Sequence, residues 1–201
     1  MTPEEAYQKV EHVLANPKTV GWCAPEKNKY LFDLVLEHKP KTVVEMGVYG
    51  GKSLCSFAAA SLVHPCKVYA IDAWERSVMS NVLTPPEWDQ THLDAVFRDF
   101  QQVFQDAGLV GAITLMKLPS VPASVRFGPE SIDIFHLDGS HAEEDCLADY
   151  FVWAPKIKPG GIFIIDDANF NELQLLQTFA LRQFDHVRYV EGSKTRVFRK
   201  K

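Results

Sequence analysis

The chain has 201 residues, 46% hydrophobic and 23% charged, enough to bury the core of one domain without disulfide or metal staples. Its 21 basic and 26 acidic side chains leave a formal charge of −5, which argues against a general nucleic-acid or anionic-membrane binder, because those need a basic surface. Cys23, Cys55, Cys66 and Cys146 lie far apart, with no Cys-x-x-Cys pair and no histidine at zinc spacing, so reduced thiols in a cytoplasmic protein are expected. Glu4 and Glu5 stand where a secretory signal carries positive charge, and no apolar run approaches the ~18 residues of a membrane span.

In chain order, Thr2-Pro3-Glu4-Glu5 writes a helix start, with a capping threonine, a proline in the first turn and a glutamate to complete a capping box. A second helix start lies at Pro25-Glu26, with Tyr30, Leu31, Leu34 and Val35 as its inner face and Pro40 beyond its end. After Pro40 the period changes. Short apolar runs at 42–44, 68–71, 113–116, 132–137 and 162–165 alternate with helical patterns through Leu62, around Asp94–Ala107, from about Ala142 to Trp153 and over Leu173–Phe184. Strands alternating with helices mean βαβ units and a largely parallel sheet covered on both faces. Two last strands flank Gly192-Ser193 as an antiparallel hairpin. The expectation is one domain over 1–201, with a helical cap at 1–40 and a doubly wound α/β core at 41–201.

Such sheets bind ligands beyond the carboxyl ends of their strands. Those ends carry Glu45, Asp72, Asp138 and the pair Asp166-Asp167, all acidic. The first strand runs into Gly47-Val48-Tyr49-Gly50-Gly51-Lys52-Ser53, a tight glycine turn that lacks the Gly-x-Gly-x-x-Gly spacing of dinucleotide binders. Glu45 would repel a pyrophosphate and suits a sulfonium or an amine. Asp72 stands where a carboxylate holds ribose hydroxyls, so the pair favours a nucleoside ligand without phosphates. Taken singly, Asp166 reads as a turn cap and Asp138 as exposed. Together with Asp167 they form a like-charged cluster that needs protons or a hard cation, and oxygen-only ligands suit Mg²⁺. His141 follows Asp138 closely enough to serve as a general base, while His136 reads as buried support.

The stretches Gly21-Trp22 with Pro25-Glu26, TVVEMGVYGGKS at 42–53, VYAIDAW at 68–74 and IDIFHLDGSHAEEDCLADYFVWAPKIKPGGIFIIDD at 132–167 resemble the class I S-adenosylmethionine-dependent methyltransferases. Within that class they are similar to the metal-dependent small-molecule O-methyltransferases of the macrocin type. The resemblance implies a Rossmann-like seven-stranded sheet ordered 3-2-1-4-5-7-6 with an antiparallel last strand. It implies S-adenosylmethionine held by Glu45, Gly47, Tyr49, Gly51 and Ser53, by Asp72, Ala73 and Trp74, and by Ser120 and Asp138. It further implies Mg²⁺ on Asp138, Asp166 and Asp167, and His141 as base. The Gly-Asp-Ser-like turn of the family, near the adenine, reads Lys117-Leu118-Pro119-Ser120 here, so only its serine is kept.

The long 73–93 connection, with Trp74, Met79, Pro85-Pro86 and Trp88, reads as a lid that decides the acceptor. The implied activity is methyl transfer to a hydroxyl of a small molecule such as a sugar or natural product. The alternatives are a non-catalytic or cephalosporin hydroxylase-like relative that binds S-adenosylmethionine, and an NAD oxidoreductase, for which neither a Gly-x-Gly turn nor a Tyr-x-x-x-Lys is present. No nucleic-acid or membrane partner is expected. The two N-terminal helices either cover the cleft or pair with another subunit, so a homo-oligomer stays open.

Overall fold

The capping box is formed. Thr2 Oγ1 accepts from the Glu5 N–H at 3.2 Å, and Glu5 Oε2 accepts from the Thr2 N–H at 2.8 Å, starting α1 (Pro3–Ala15). The computed structural model describes residues 1–79 and 84–201. After α2 (Pro25–His38) the chain alternates β1 (Thr42–Met46), α3 (Leu54–Ser61), β2 (Lys67–Asp72), α4 (Gln90–Asp106), β3 (Ile113–Lys117), a short α5 (Ser120–Ser124), β4 (Ile132–Leu137), α6 (Glu143–Trp153) and β5 (Ile157–Ile165). It closes with α7 (Gln174–Gln183) and the antiparallel strands β6 (Phe184–Tyr189) and β7 (Arg196–Lys200). The seven strands form one sheet ordered β3-β2-β1-β4-β5-β7-β6, the order and orientation expected, with β7 antiparallel to both neighbours.

Alternation along the strands divides the core in two. Val43 of β1 faces a cluster with α1 to α4, built on Val10, Leu31, Phe57, Phe100 and Phe104. Val44 and Met46 face a second cluster with α5 to α7, where Phe135, Trp153 and Phe163 stack. Full burial of side chains this size contributes roughly 1.5–3 kcal/mol each, so both faces of the sheet are firmly held. The N-terminal helices share the first cluster with the sheet, and this anchors the start of α2 against the strand ends.

One boundary differs from the sequence reading. The expected strand at 162–165 starts earlier, at Ile157, so that Pro159-Gly160-Gly161 lies inside β5. Ile132 pairs with Ile157 and Ile134 with Ile162, so Asp133 alone faces the four residues Lys158 to Gly161. Gly160, at φ +75°, absorbs that bulge.

The turn after β1 depends on Gly47. The Gly47 N–H donates to the Ile71 carbonyl at 2.9 Å and the Asp138 N–H donates to the Met46 carbonyl at 2.8 Å, drawing three strand ends together. Gly47 has φ +91°, and a Cβ there would lie 1.8 Å from the Asp138 carbonyl oxygen. Gly47→Ala should therefore destabilise the fold by on the order of 3 kcal/mol or more, read as a melting temperature lower by roughly 6–12 °C.

Candidate active site

Beyond the carboxyl ends of β1, β2, β4 and β5 lies a cleft of about 820 Å³. Six aspartates line it: Asp72, Asp138, Asp145, Asp149, Asp166 and Asp167. Lys27, Lys52, Lys194 and His141 line it as well. Of the residues expected to bind the cofactor, Gly47, Tyr49, Ser53, Asp72, Ala73, Ser120 and Asp138 reach this surface.

Glu45, Gly51 and Trp74 do not. Glu45 points to the α3 side of the sheet and is fully buried, its Oε1 accepting from Ser53 Oγ at 2.6 Å and its Oε2 lying 3.5 Å from His136 Nδ1. Its carboxylate lies beneath the turn and does not reach the cleft surface. Gly51 is packed on Phe100 and Phe104. Trp74 is fully buried on Phe97 and Phe100, with its indole N–H donated to the Tyr49 carbonyl at 2.9 Å.

Asp72 first of all builds the loop. Its Oδ2 accepts from the Val48 and Tyr49 N–H groups, both at 2.9 Å, and its Oδ1 from the Trp74 N–H at 2.8 Å. These bonds hold Tyr49 and Trp74 in the left-handed region, φ +48° and +45°. Burial pushes the Asp72 carboxyl up, while the N–H donors of Tyr49, Trp74, Val48 and Ala73 oppose it.

The floor of the cleft holds a residue that the sequence reading passed over. Lys27, in the first turn of α2, sends its ammonium between two strand-end acids, 2.5 Å from Asp166 Oδ2 and 3.3 Å from Asp138 Oδ2. Its side chain is 2% exposed. Burial pushes the Lys27 ammonium toward neutrality, but Asp138 and Asp166 outweigh it and hold the group charged. Burial also works against ionisation of Asp166, where Lys27, His136 and the hydroxyl of Thr195, donated to Oδ1 at 2.5 Å, prevail and keep the carboxyl well below its usual range. At Asp138 burial prevails over the more distant Lys27, and the carboxyl is raised.

The three acids expected to share Mg²⁺ are thus not gathered around one point. Donor atoms of His136, Asp138 and Asp166 lie within 4.8 Å of one another, with the Lys27 ammonium beside them. Asp167 turns away to His141 Nε2 at 3.0 Å and Lys194 Nζ at 3.7 Å. The Oδ2 oxygens of Asp138 and Asp166 both face an ammonium, so a divalent cation bridging them would be set directly against the charge of Lys27. The residues as arranged do not fit the expected metal.

His141 and Asp167 form a second unit at the cleft wall, against the Phe170 ring. The hydrogen bond to Asp167 raises the imidazole above its ordinary value against the opposing effect of burial. With Nε2 facing the carboxylate, Nδ1 is left as the basic nitrogen. Asp149, 6% exposed, also lines the cleft near Ser120, whose Oγ accepts from Trp153 Nε1 at 2.8 Å. Burial pushes the Asp149 carboxyl up to about 7, partly opposed by a hydrogen bond from Ser120.

Both missed residues carried a readable signal. Lys27 falls on the buried stripe of α2 with Leu31, Leu34 and Val35, and Asp149 on that of α6 with Cys146, Tyr150 and Trp153. A charge on an apolar helix face needs a partner or a ligand.

At the rim Trp22, Tyr49 and Trp88 lie nearly parallel, with Tyr49 and Trp88 centroids 4.5 Å apart and Trp22 6.0 Å from Trp88. Trp22 is 77% exposed. Of the 73–93 connection, Val78, Met79, Thr84, Pro85 and Trp88 line the cleft, while residues 80–83 of the expected lid lie outside the described residues.

A sheet of this order with an acid-lined cleft at its strand ends defines a Rossmann-like methyltransferase fold. Residues 44–168 match the family model of a methyltransferase domain, and the chain belongs to that family. A methyltransferase from Geobacter sulfurreducens has a TM-score of 0.67 at 16% identity, over 98% of this chain and 88% of its own. An SAH-bound methyltransferase from Podospora anserina reaches 0.67 at 12% identity, over 100% and 89%. An O-methyltransferase from Bacillus cereus in complex with SAH reaches 0.64 at 14%, over 100% and 92%. At such identities the likeness establishes the fold. An uncharacterized protein of Sinorhizobium fredii (strain NBRC 101917 / NGR234) is 26% identical over 147 residues, 70% of this chain, and the chain spans 15% of that relative's length.

Asp149 yields a pH-dependent stability. Its carboxyl stands at about 7 in the fold against 3.8 ordinarily, so its contribution is fully present below about pH 4 and is lost as pH rises through 7. Asp149→Asn should melt with the wild type near pH 4 and on the order of 4 kcal/mol above it at pH 8, a gap of roughly 8–16 °C in paired thermal melts.

Proposed function

We propose that the protein transfers the methyl group of S-adenosylmethionine to a hydroxyl of a small molecule, a sugar or another natural product. The observation that carries this reading is the acid-lined cleft with its His141–Asp167 pair at the switch point of a methyltransferase sheet. A sulfonium and an amine suit such walls electrostatically, and a phosphate does not. In this reading Gly47, Tyr49 and Ala73 frame the nucleoside. Asp72 faces the ribose from the loop it braces, and Asp149 with Ser120 meets the adenine edge in place of the missing acid after β3.

The sulfonium methyl is electrophilic already, so the protein has to align an oxygen and receive its proton. The acceptor oxygen attacks the methyl carbon, the S–C bond breaks with its electron pair going to sulfur, and the hydroxyl proton passes to His141 Nδ1. Asp167 holds the ring by Nε2 and stabilises the imidazolium. No step uses a metal. The parallel rings of Trp22, Tyr49 and Trp88 favour an acceptor with a flat face, an aromatic ring or the apolar side of a pyranose.

Thermal shift with S-adenosylmethionine, S-adenosylhomocysteine and NAD tests the reading. Stabilisation by the two adenosyl ligands is expected, and stabilisation by NAD alone would sink it. His141→Gln should lower turnover by roughly 10²–10⁴ while leaving the S-adenosylmethionine affinity unchanged. Because the imidazole titrates above its ordinary value, the rate should fall tenfold per pH unit on the acid side of that raised point, and the variant should lose this inflection.

A further inference from the structure

We propose that Lys27 is the resident cation of this site: its ammonium takes the position between Asp138 and Asp166 that a divalent ion would hold, and the protein works without a metal. The inference deepens the methyl-transfer reading and rests on it for turnover, whereas the occupancy of the acid pair can be measured without it.

Three observations carry the argument. The ammonium lies 2.5 Å from Asp166 and 3.3 Å from Asp138, and its side chain is 2% exposed. Asp166 is also held from its other oxygen by Thr195, itself fully buried, so both of its oxygens are already engaged. Asp167 is engaged with His141 and Lys194. A Mg²⁺ ion binds carboxylate oxygens at about 2.0–2.1 Å in an octahedral shell, and such an ion bridging the two Oδ2 atoms would have to share both of them with the Lys27 ammonium.

The lysine is also placed by rigid structure. Ala24 caps α2 and Pro25 starts it, Asn28 on the next position accepts from Ser56 Oγ at 2.7 Å, and Leu31, Phe32 and Val35 fix the helix in the core. The backbone from which Nζ reaches the two acids is therefore fixed. A single positive charge supplied by the chain offsets part of the charge of two acids that approach because the parallel strands end side by side, with no ion to be lost or exchanged. Lys27 is a positioning residue: it keeps Asp138 and Asp166 in one orientation at the cleft floor.

Mn²⁺ titration followed by electron paramagnetic resonance reads the occupancy directly. In the wild type no tight Mn²⁺ site is expected, and the stabilisation by S-adenosylmethionine should be the same in EDTA as in Mg²⁺. Lys27→Ala should open the acid pair, bind one Mn²⁺, and melt higher with Mn²⁺ than without it. The Lys27→Ala/Asp166→Asn double variant should lose that gained site, which a merely structural role of Lys27 would not produce. A tight wild-type Mn²⁺ site removed by Asp166→Asn overturns the proposal, as does a folded Lys27→Ala that gains no site. Should Lys27→Ala fail to fold, the wild-type titration alone decides. A protein that ignores S-adenosylmethionine in both buffers overturns the methyl-transfer reading and leaves the occupancy result standing.

Discussion

Parallel strands that end side by side bring their terminal side chains together whether or not those side chains repel one another. In this protein β4 and β5 end in Asp138 and Asp166, and the arrangement holds because Lys27 lies between them. Two carboxylates taken out of water at this distance would otherwise favour protonation or separation. The ammonium eases that conflict, more for Asp166 than for Asp138, and with it α2 is tied to the catalytic edge of the sheet. The N-terminal helices are thereby part of the site's floor as well as of the core.

The acids at the strand ends have distinct tasks. Asp72 is committed to backbone N–H groups and sets the glycine turn, including two residues in a conformation they would not choose alone. Glu45 supports Ser53 from below. Asp138 and Asp166 enclose the lysine, and Asp167 orients His141. Asp149 is opposed in its burial only by Ser120, and its carboxyl is pushed up to about 7. A half-compensated carboxyl on a cleft wall is poorly stabilised without a ligand and well placed to accept from one. The same physical cost that weakens the fold there can favour binding.

These assignments also recast the net charge of −5. The cleft concentrates six aspartates on one edge of the sheet, met by three lysines and a histidine. A local field of this kind favours a cationic ligand while the rest of the surface stays mixed. Among the described residues no helix is long and apolar enough to cross a membrane.

Much of the fold was legible in order along the chain. The alternation of short β-branched runs with 3.6-period stretches, the capping box at Thr2 and the glycine turn after β1 are local signals, and local sterics and hydrogen bonding enforce them. Strand ends marked by Glu45, Asp72, Asp138, Asp166 and Asp167 followed from the same pattern. What each acid touches did not follow. Glu45 turned to the buried face because alternation from Val43 sends it there, and Trp74 went under the loop because its indole N–H meets the Tyr49 carbonyl. Lys27 reaches acids 111 and 139 residues away, a pairing that exists only once α2 is packed across the sheet. The sequence by itself determined that acids would collect at one edge and need a positive charge. Only the tertiary structure decided that the charge comes from the chain itself, because helix packing, and no local rule, carries an ammonium to that point.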